Sequence, residues 1–339
     1  MISTSKDLVP IILTGMARSG TTYLGDLANR YLGIAAVNEG TFEFWLAQQD
    51  CRPEILRDDA ALRNLLRRFA DHIYFHFLYK NKHDIEQIVS DLLHLIDDRS
   101  RQGLARAALK LAAMRWQLPL LGHEDPVFMY DLEKVVDLYP GCKLIQIVRD
   151  PRDVTSSVLQ FPWGPNNAVV AANDWNRLIG KARTLGANLG AQRYLEFRYE
   201  DLLTKPAETM TALLRFVVGS IDSSKVAAFE RETAVNPLRR NFANWKKGLT
   251  PQQVQLVESA AQEQMAEFGY QPEYPERPIS TARIKIWRLH HRAVQVRNII
   301  FGKLHINGLG KIDPPSPLRG PKRLQEATTH QAFTKSTMT

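Results

Sequence analysis

The chain has only two cysteines in 339 residues, Cys51 and Cys142, far apart and outside any CxxC pair. Two are too few for a disulfide framework or a cysteine-ligated zinc site, and a reducing compartment is the simplest reading. No apolar run approaches the ~18 residues needed to span a bilayer. The N-terminus, MISTSKDLVP, lacks the basic and long apolar stretches of a signal peptide. The expected location is therefore cytoplasmic. There is no internal repeat and no cluster with metal-ligand spacing. An acidic excess is also missing: the net charge is +8. It is unevenly spread, because residues 280–339 carry eleven Lys/Arg against two acids, a net of +9, so the preceding 279 residues are near neutral at about −1. The basic character belongs to the tail and says little about the body of the protein.

What is present is a soluble globular composition, 44% apolar and 24% charged, in a chain long enough to bury a sizeable core. Leu8–Thr14 is a short apolar run ending at Gly15, and such runs are buried strands of parallel sheets. Thr21–Tyr31 then has helical spacing, with Tyr23, Leu24, Leu27 and Tyr31 near one face. Further strands are expected at Ile34–Val37, Lys143–Val148 and Arg193–Phe197. The block from about Ala60 to Gln117 contains no proline and is expected to be helical, and Asp131–Leu138, Ala207–Val217 and Pro251–Phe268 are further helices. Alternating strands and helices predict an α/β fold with a parallel sheet. Residues 1–279 form one domain in this reading, with a helical insert at about 45–120. Its aromatics (Trp45, Phe69, Tyr74, Phe75, Phe77, Tyr79, Trp116) are expected in the core, since helical spacing explains most of them. In the remainder, 280–339, Ala282–Ile300 suits a basic amphipathic helix, and the Pro- and Gly-containing stretch after Gly302 has a disordered composition. A basic helix with Trp287 fits an anionic membrane surface, and it fits a solvated helix equally well. No nucleic-acid partner is expected.

Two segments carry chemistry. Gly15-Met16-Ala17-Arg18-Ser19-Gly20-Thr21-Thr22 lies between a strand and a helix, where successive backbone N–H groups can wrap a phosphate. It departs from the nucleotide-hydrolase pattern GxxxxGK[ST], because Thr21 stands where Lys is required and Arg18 supplies the cation from inside the loop. The second segment, Arg149-Asp150-Pro151-Arg152-Asp153-Val154-Thr155-Ser156-Ser157, ends a strand and opens a helix with Pro151 in its first turn. By itself it could equally be a helix start laced with surface ion pairs.

The first loop resembles the 5′-phosphosulfate loop of the cytosolic and Golgi sulfotransferases, and the second segment resembles their 3′-phosphate motif. The resemblance covers about residues 8–272. It implies a P-loop-like sulfotransferase fold and transfer of a sulfuryl group from 3′-phosphoadenosine 5′-phosphosulfate (PAPS), without a metal, to a hydroxyl or amine of a carbohydrate, lipid or small molecule. It further implies that Arg18, Ser19, Gly20, Thr21 and Thr22 hold the 5′-phosphosulfate and that Arg149 and Ser157 clamp the 3′-phosphate. Tyr23 and Tyr199, the latter in Arg198-Tyr199-Glu200-Asp201-Leu202, would touch the adenine. Arg240, in Arg239-Arg240-Asn241, loosely matches a late basic loop before a tryptophan.

Sulfuryl transfer needs a base. Glu39, at the end of the second strand and followed by Gly40, is the favoured candidate, with Glu43 four residues on. Glu124 in Gly122-His123-Glu124-Asp125-Pro126 is the second, at the position of the histidine that small-molecule sulfotransferases carry two residues before proline, and His123 stands beside it. Two rival readings remain at this point: an ATP-dependent phosphotransferase, with Asp150 holding Mg²⁺, and a membrane- or nucleic-acid-binding protein driven by the basic tail.

Overall fold

A computed structural model of the chain describes residues 9–80, 84–161, 163–235 and 242–306. Five strands, β1 (Ile11–Gly15), β2 (Ile34–Asn38), β3 (Leu120–Glu124), β4 (Lys143–Val148) and β5 (Tyr194–Arg198), form one sheet in the order β2-β3-β1-β4-β5. Every pairing is parallel. Four of the strands match the sequence reading to within a few residues. β3 is additional: its LLGHE sequence offers two apolar residues followed by glycine and charge, too little for a periodic signal.

Helix α1 (Thr21–Leu27), prolonged by a π-helical turn at Ala28–Leu32, carries the chain from β1 past the β3 position to β2. Between β2 and β3 lie α2 (Phe42–Ala47), α3 (Pro53–Arg57), α4 (Asp59–Ala70), α5 (Ile73–Tyr79), α6 (Ile85–Leu95) and α7 (Arg101–Trp116). This is the helical insert. Its long helices start where a side chain satisfies a free backbone N–H: Asp58, Asp84 and Ser100 each accept from the first turn of α4, α6 and α7. A 3₁₀ turn at Pro126–Tyr130 and α8 (Leu132–Leu138) lead to β4, and α9 (Pro151–Val158) and α10 (Ala168–Leu189) lead to β5. Beyond β5 come α11 (Tyr199–Thr204), α12 (Pro206–Val218), α13 (Ser223–Val235), α14 (Trp245–Gly248), α15 (Pro251–Glu267) and α16 (Thr281–Ile306).

Both faces of the sheet are covered, which is why β1 is buried along its whole length. Ile12, Val37, Leu144 and Val148 face the insert, packing with Leu66, Phe69, Tyr74, Phe75 and Trp175 of α10. Leu13, Ile34 and Ile147 face the other way, against Leu24, Tyr199, Leu202, Leu213 and Phe229. Each large side chain so buried contributes roughly 1.5–3 kcal/mol. Of the insert aromatics, Phe69, Tyr74, Phe75 and Tyr79 are core residues, Trp45 and Trp116 pack partly buried against them, and Phe77 is exposed.

The chain divides into two compact units, Met1–His291 and Arg292–Thr339. The sheet belongs to the first. In the second, the described residues continue α16 to Ile306, so residues 303–306, the start of the stretch expected to be disordered, are helical, and the rest of that stretch lies outside the described residues. No described helix is long and apolar enough to cross a membrane.

Candidate active site

In this strand order the chain leaves β1 in one direction toward β2 and β3 and in the other toward β4 and β5. Such a switch point opens a crevice at the carboxyl ends of the central strands. The loops that follow β1, β3 and β4 meet there.

The loop after β1 is held open by unusual backbone. Arg18 has φ 73° and Gly20 φ 92°, while the Ser19 N–H donates to the Met16 carbonyl (2.9 Å). A left-handed arginine costs roughly 1–2 kcal/mol, a strain that persists only where the surroundings impose it. Gly20 cannot be replaced without displacement, since a Cβ there would lie 2.5 Å from the Tyr199 ring. Ser19 is fully buried, with its hydroxyl unpartnered among the described residues. Thr21 is buried at the helix start, and Thr22 is exposed.

The second segment closes on the first. The Arg18 Nε donates to the Ser157 hydroxyl (3.0 Å), and an Arg149 guanidinium N–H donates to the Arg18 carbonyl (3.0 Å). Arg149 also stands 4.8 Å over the Tyr199 ring, and its own carbonyl accepts from the Trp175 indole (3.1 Å). Gly20, Tyr199, Arg149, Arg18 and Ser157 therefore form one contiguous group drawn from three distant parts of the sequence. Burial lowers the pKa of Arg18, and the neighbouring Arg149 charge lowers it further. Two cations brought together at a strand-to-helix loop make a site that favours an anion.

Tyr199 is 2% exposed, so its ring forms the wall between the two motifs. Tyr23 is partly buried, packing with the core that contains Phe229, and burial followed by the Glu232 charge raises its hydroxyl to about 12. Arg240 lies outside the described residues. The loop that follows it is tied to the site nonetheless: Asp153 accepts from the backbone N–H groups of Ala243 (2.8 Å) and Trp245 (2.9 Å) and lies 3.6 Å from Arg149. The alternative of surface ion pairs between sequence neighbours in this segment does not describe Asp153, which is buried. Arg152 instead pairs with Asp150 (2.7 Å) and Glu258 (2.8 Å), all three buried, beneath Trp245. Its donors engage both carboxylate oxygens of Asp150.

The acids gather on the β2–β3 side. β3 lies between β1 and β2, so Glu124, rather than Glu39, ends the strand next to the phosphate-type loop. The pleat sends the adjacent residues His123 and Glu124 to opposite faces. Glu124 is in register with Leu13 and Asn38, and His123 with Ile12 and Val37. Glu124 is fully buried, and among the described residues neither carboxylate oxygen has a hydrogen-bond partner in ordinary geometry. Burial, then the Asp125 charge, pushes it up to about 8, although the nearby Thr21 hydroxyl favours the anion. Glu39 is half-buried at φ 65°, followed by Gly40 at φ 98°. Its pKa is raised by burial and by Asp125, whose own carboxylate accepts from the N–H groups of Thr41 (3.1 Å) and Val127 (2.8 Å). Glu43 and His123 are buried together on the insert side. Asp125 was missed in the sequence, though an acid directly before Pro126 is a capping signal.

A family model described as the sulfotransferase family matches residues 10–219. The chain belongs to the sulfotransferase family. Among solved structures, it is similar to the sulfotransferase domain of the Synechococcus PCC 7002 olefin synthase, at 19% identity and TM-score 0.47 over 77% of this chain and 98% of that one. It is similar to the sulfotransferase STF9 from Mycobacterium avium at 16% identity and TM-score 0.46, covering 81% and 80% of the two chains. A sulfotransferase domain from the curacin biosynthetic pathway matches at 15% identity and TM-score 0.40, over 84% and 96%. No curated protein matches this sulfotransferase. The family match ends within the C-terminal part of the α/β body and so includes β1–β5, the loop around Arg18, the Arg149–Ser157 segment and the acids Glu39, Glu43, Glu124 and Asp125.

Proposed function

We propose that this sulfotransferase uses PAPS and transfers its sulfuryl group to a hydroxyl or amine acceptor such as a carbohydrate, lipid or small molecule. The observation that carries the reading is the convergence of Arg18, Ser157 and Arg149, from segments 139 and 131 residues apart, at one rim of the sheet. A donor with a 5′-phosphosulfate and a 3′-phosphate offers two anions to these two cations. The buried, unpartnered Ser19 hydroxyl and the left-handed turn at Arg18–Gly20 fit a phosphate group, so the residues present suit the donor. Arg18, Ser19, Gly20, Thr21 and Thr22 would hold the phosphosulfate, Arg149 and Ser157 the 3′-phosphate, with Tyr23, Tyr199 and Arg240 completing the nucleotide side. No step in this scheme requires a metal.

PAPS supplies an activated sulfur with a phosphate leaving group. Glu39 takes the proton of the acceptor as its oxygen or nitrogen bonds to sulfur and the S–O bond to the 5′-phosphate breaks. Arg18 and the loop N–H groups meet the negative charge left on that phosphate. A raised pKa and partial exposure suit Glu39 to this role. Glu124, protonated at neutral pH, keeps a second negative charge away from the sulfate.

The phosphotransferase reading is disfavoured, because Asp150, its Mg²⁺ ligand, is engaged by Arg152. The free state of Cys51 and Cys142 supports a cytoplasmic protein. On α16, Ile286 and Leu289 are exposed beside Arg283 and Lys285, which supports peripheral contact with an anionic bilayer. Thermal shift separates the donor readings. 3′-Phosphoadenosine 5′-phosphate (PAP) should raise Tm and ATP·Mg²⁺ should not, with about 2.7 kcal/mol expected at a hundredfold excess over Kd. The reverse pattern would refute the proposal.

A further inference from the structure

His123 has no place in the chemistry above, yet it is one of the most elaborately held side chains in the protein. It is fully buried on the insert face of the sheet. Phe42 stacks on its ring (centroids 5.2 Å, 9° between planes), and Tyr74 and Phe128 pack edge-on at 5.0 and 5.1 Å. Both ring nitrogens are engaged. Nδ1 meets the Glu43 carboxylate at 2.7 Å, and Nε2 lies 3.1 Å from the Glu39 carbonyl. A carbonyl can only accept, so Nε2 carries a proton and donates it. Glu43 is in turn fixed by the Tyr139 hydroxyl, which donates to the same oxygen at 2.8 Å. Burial alone would lower the pKa of His123, but Glu43, together with Asp125 and the Glu39 carbonyl, more than offsets it and the net direction is upward.

The far end of this chain of contacts is the backbone of Glu39. That residue is left-handed, and three further anchors hold it and its neighbours. Its N–H donates to the Glu124 carbonyl (2.7 Å), Thr41 N–H donates to Asp125 (3.1 Å), and Gly40 packs on the Tyr74 backbone, where a Cβ would lie 2.8 Å from the Tyr74 Cα. A side chain hung on such a backbone takes its direction from it.

We propose that His123 is a positioning residue: braced by Glu43 and Tyr139, it holds the Glu39 carbonyl and so aims the Glu39 carboxylate at the acceptor. The inference rests on Glu39 being the base. His123 itself transfers no proton to substrate, since it lies wholly inside the protein with both nitrogens occupied. A buried ion pair of this kind is weak evidence for stability by itself. Its value here is directional, because a misplacement of about 1 Å in a catalytic group can cost on the order of 10²-fold in rate.

The test follows turnover as PAP release from PAPS, using the best of n-decanol, 4-nitrophenol and glucosamine as acceptor, or water where none is used. Asn at 123 reaches the Nδ1 position only, whereas Gln can place an N–H where Nε2 stood. His123→Asn should lower kcat about 10–100-fold, while PAP Kd and acceptor KM stay within about twofold. His123→Gln should recover most of that loss. Tyr139→Phe, a milder change if His123→Asn does not fold, should lower kcat about 2–10-fold in a protein that binds PAP normally. Added to Glu39→Gln, it should cost nothing further, because it acts through Glu39. If Glu39→Gln is inactive while the folded His123 and Tyr139 variants turn over normally, the positioning role is overturned and the base stands. If Glu39→Gln turns over normally, the base assignment fails and the positioning role falls with it.

Discussion

Replacing Glu124 by Gln should change how stability depends on pH. The carboxyl is fully buried, and its pKa rises from 4.5 to about 8, first through burial and then through Asp125. Below pH 4.5 it is protonated in both the folded and the unfolded chain and contributes no pH dependence. Between 4.5 and about 8 the unfolded chain releases the proton and the folded chain keeps it, so folding becomes less favourable as pH rises, by about 1.4 kcal/mol per pH unit. Above about 8 the penalty levels off at on the order of 4–5 kcal/mol. The isosteric Gln stays neutral throughout. It carries its own cost as a buried amide, but that cost does not vary with pH. The Tm difference between Glu124→Gln and wild type should therefore shift in favour of the variant by about 5–8 °C between pH 4.5 and pH 9. Differential scanning fluorimetry across that range reads it directly. Tm curves that stay parallel would refute the claim that Glu124 is buried and neutral.

Three further outcomes follow from the site. Glu39→Gln should lower turnover about 10²–10⁴-fold with PAP binding intact, measured as PAP release, and Glu124→Gln should be milder. Arg149→Ala and Ser157→Ala should weaken PAP binding in calorimetry more than they lower kcat, because the 3′-phosphate lies away from the reacting sulfur, and equal wild-type affinities for PAP and for AMP would rule out a 3′-phosphate clamp. Full-length protein should co-sediment with phosphatidylserine-containing vesicles more than with phosphatidylcholine vesicles, an effect reduced by salt, and indifference to anionic lipid would remove the membrane contact.

The parts of the fold written in local sequence were legible beforehand. β1 and β4 are short and mostly apolar, with Thr14 and Gln146 their polar interior residues, and α4 and α6 carry clear 3.6-residue spacing, so these elements fell close to their observed bounds. β3 was not legible, because a five-residue strand containing Gly122 and ending His123-Glu124 carries no period. That omission affected the site. Without β3, β2 stood next to β1, and Glu39 stood beside the phosphate-type loop. With β3 in place, Glu124 takes that neighbourhood and Glu39 lies one strand further out. Arg18 was a candidate from the chemistry of its loop, Arg149 and Ser157 only through the family resemblance, and the three residues meet in the structure. The roles of Asp153, Asp125 and Tyr139 were not recognisable, since each depends on a contact across 80 or more residues that no local pattern encodes.

The central claim is sulfuryl transfer from PAPS at the site organised by Arg18. Incubating the protein with [³⁵S]PAPS and a mixture of phenol, alkanol and amino-sugar acceptors measures this most directly. The account predicts a labelled product formed in step with PAP, and its near-complete loss in a folded Arg18→Ala variant, since charge-assisted contacts at the leaving group are worth ~2–4 kcal/mol each. PAPS that is neither bound nor consumed by the wild-type protein, or full turnover by Arg18→Ala, would contradict it.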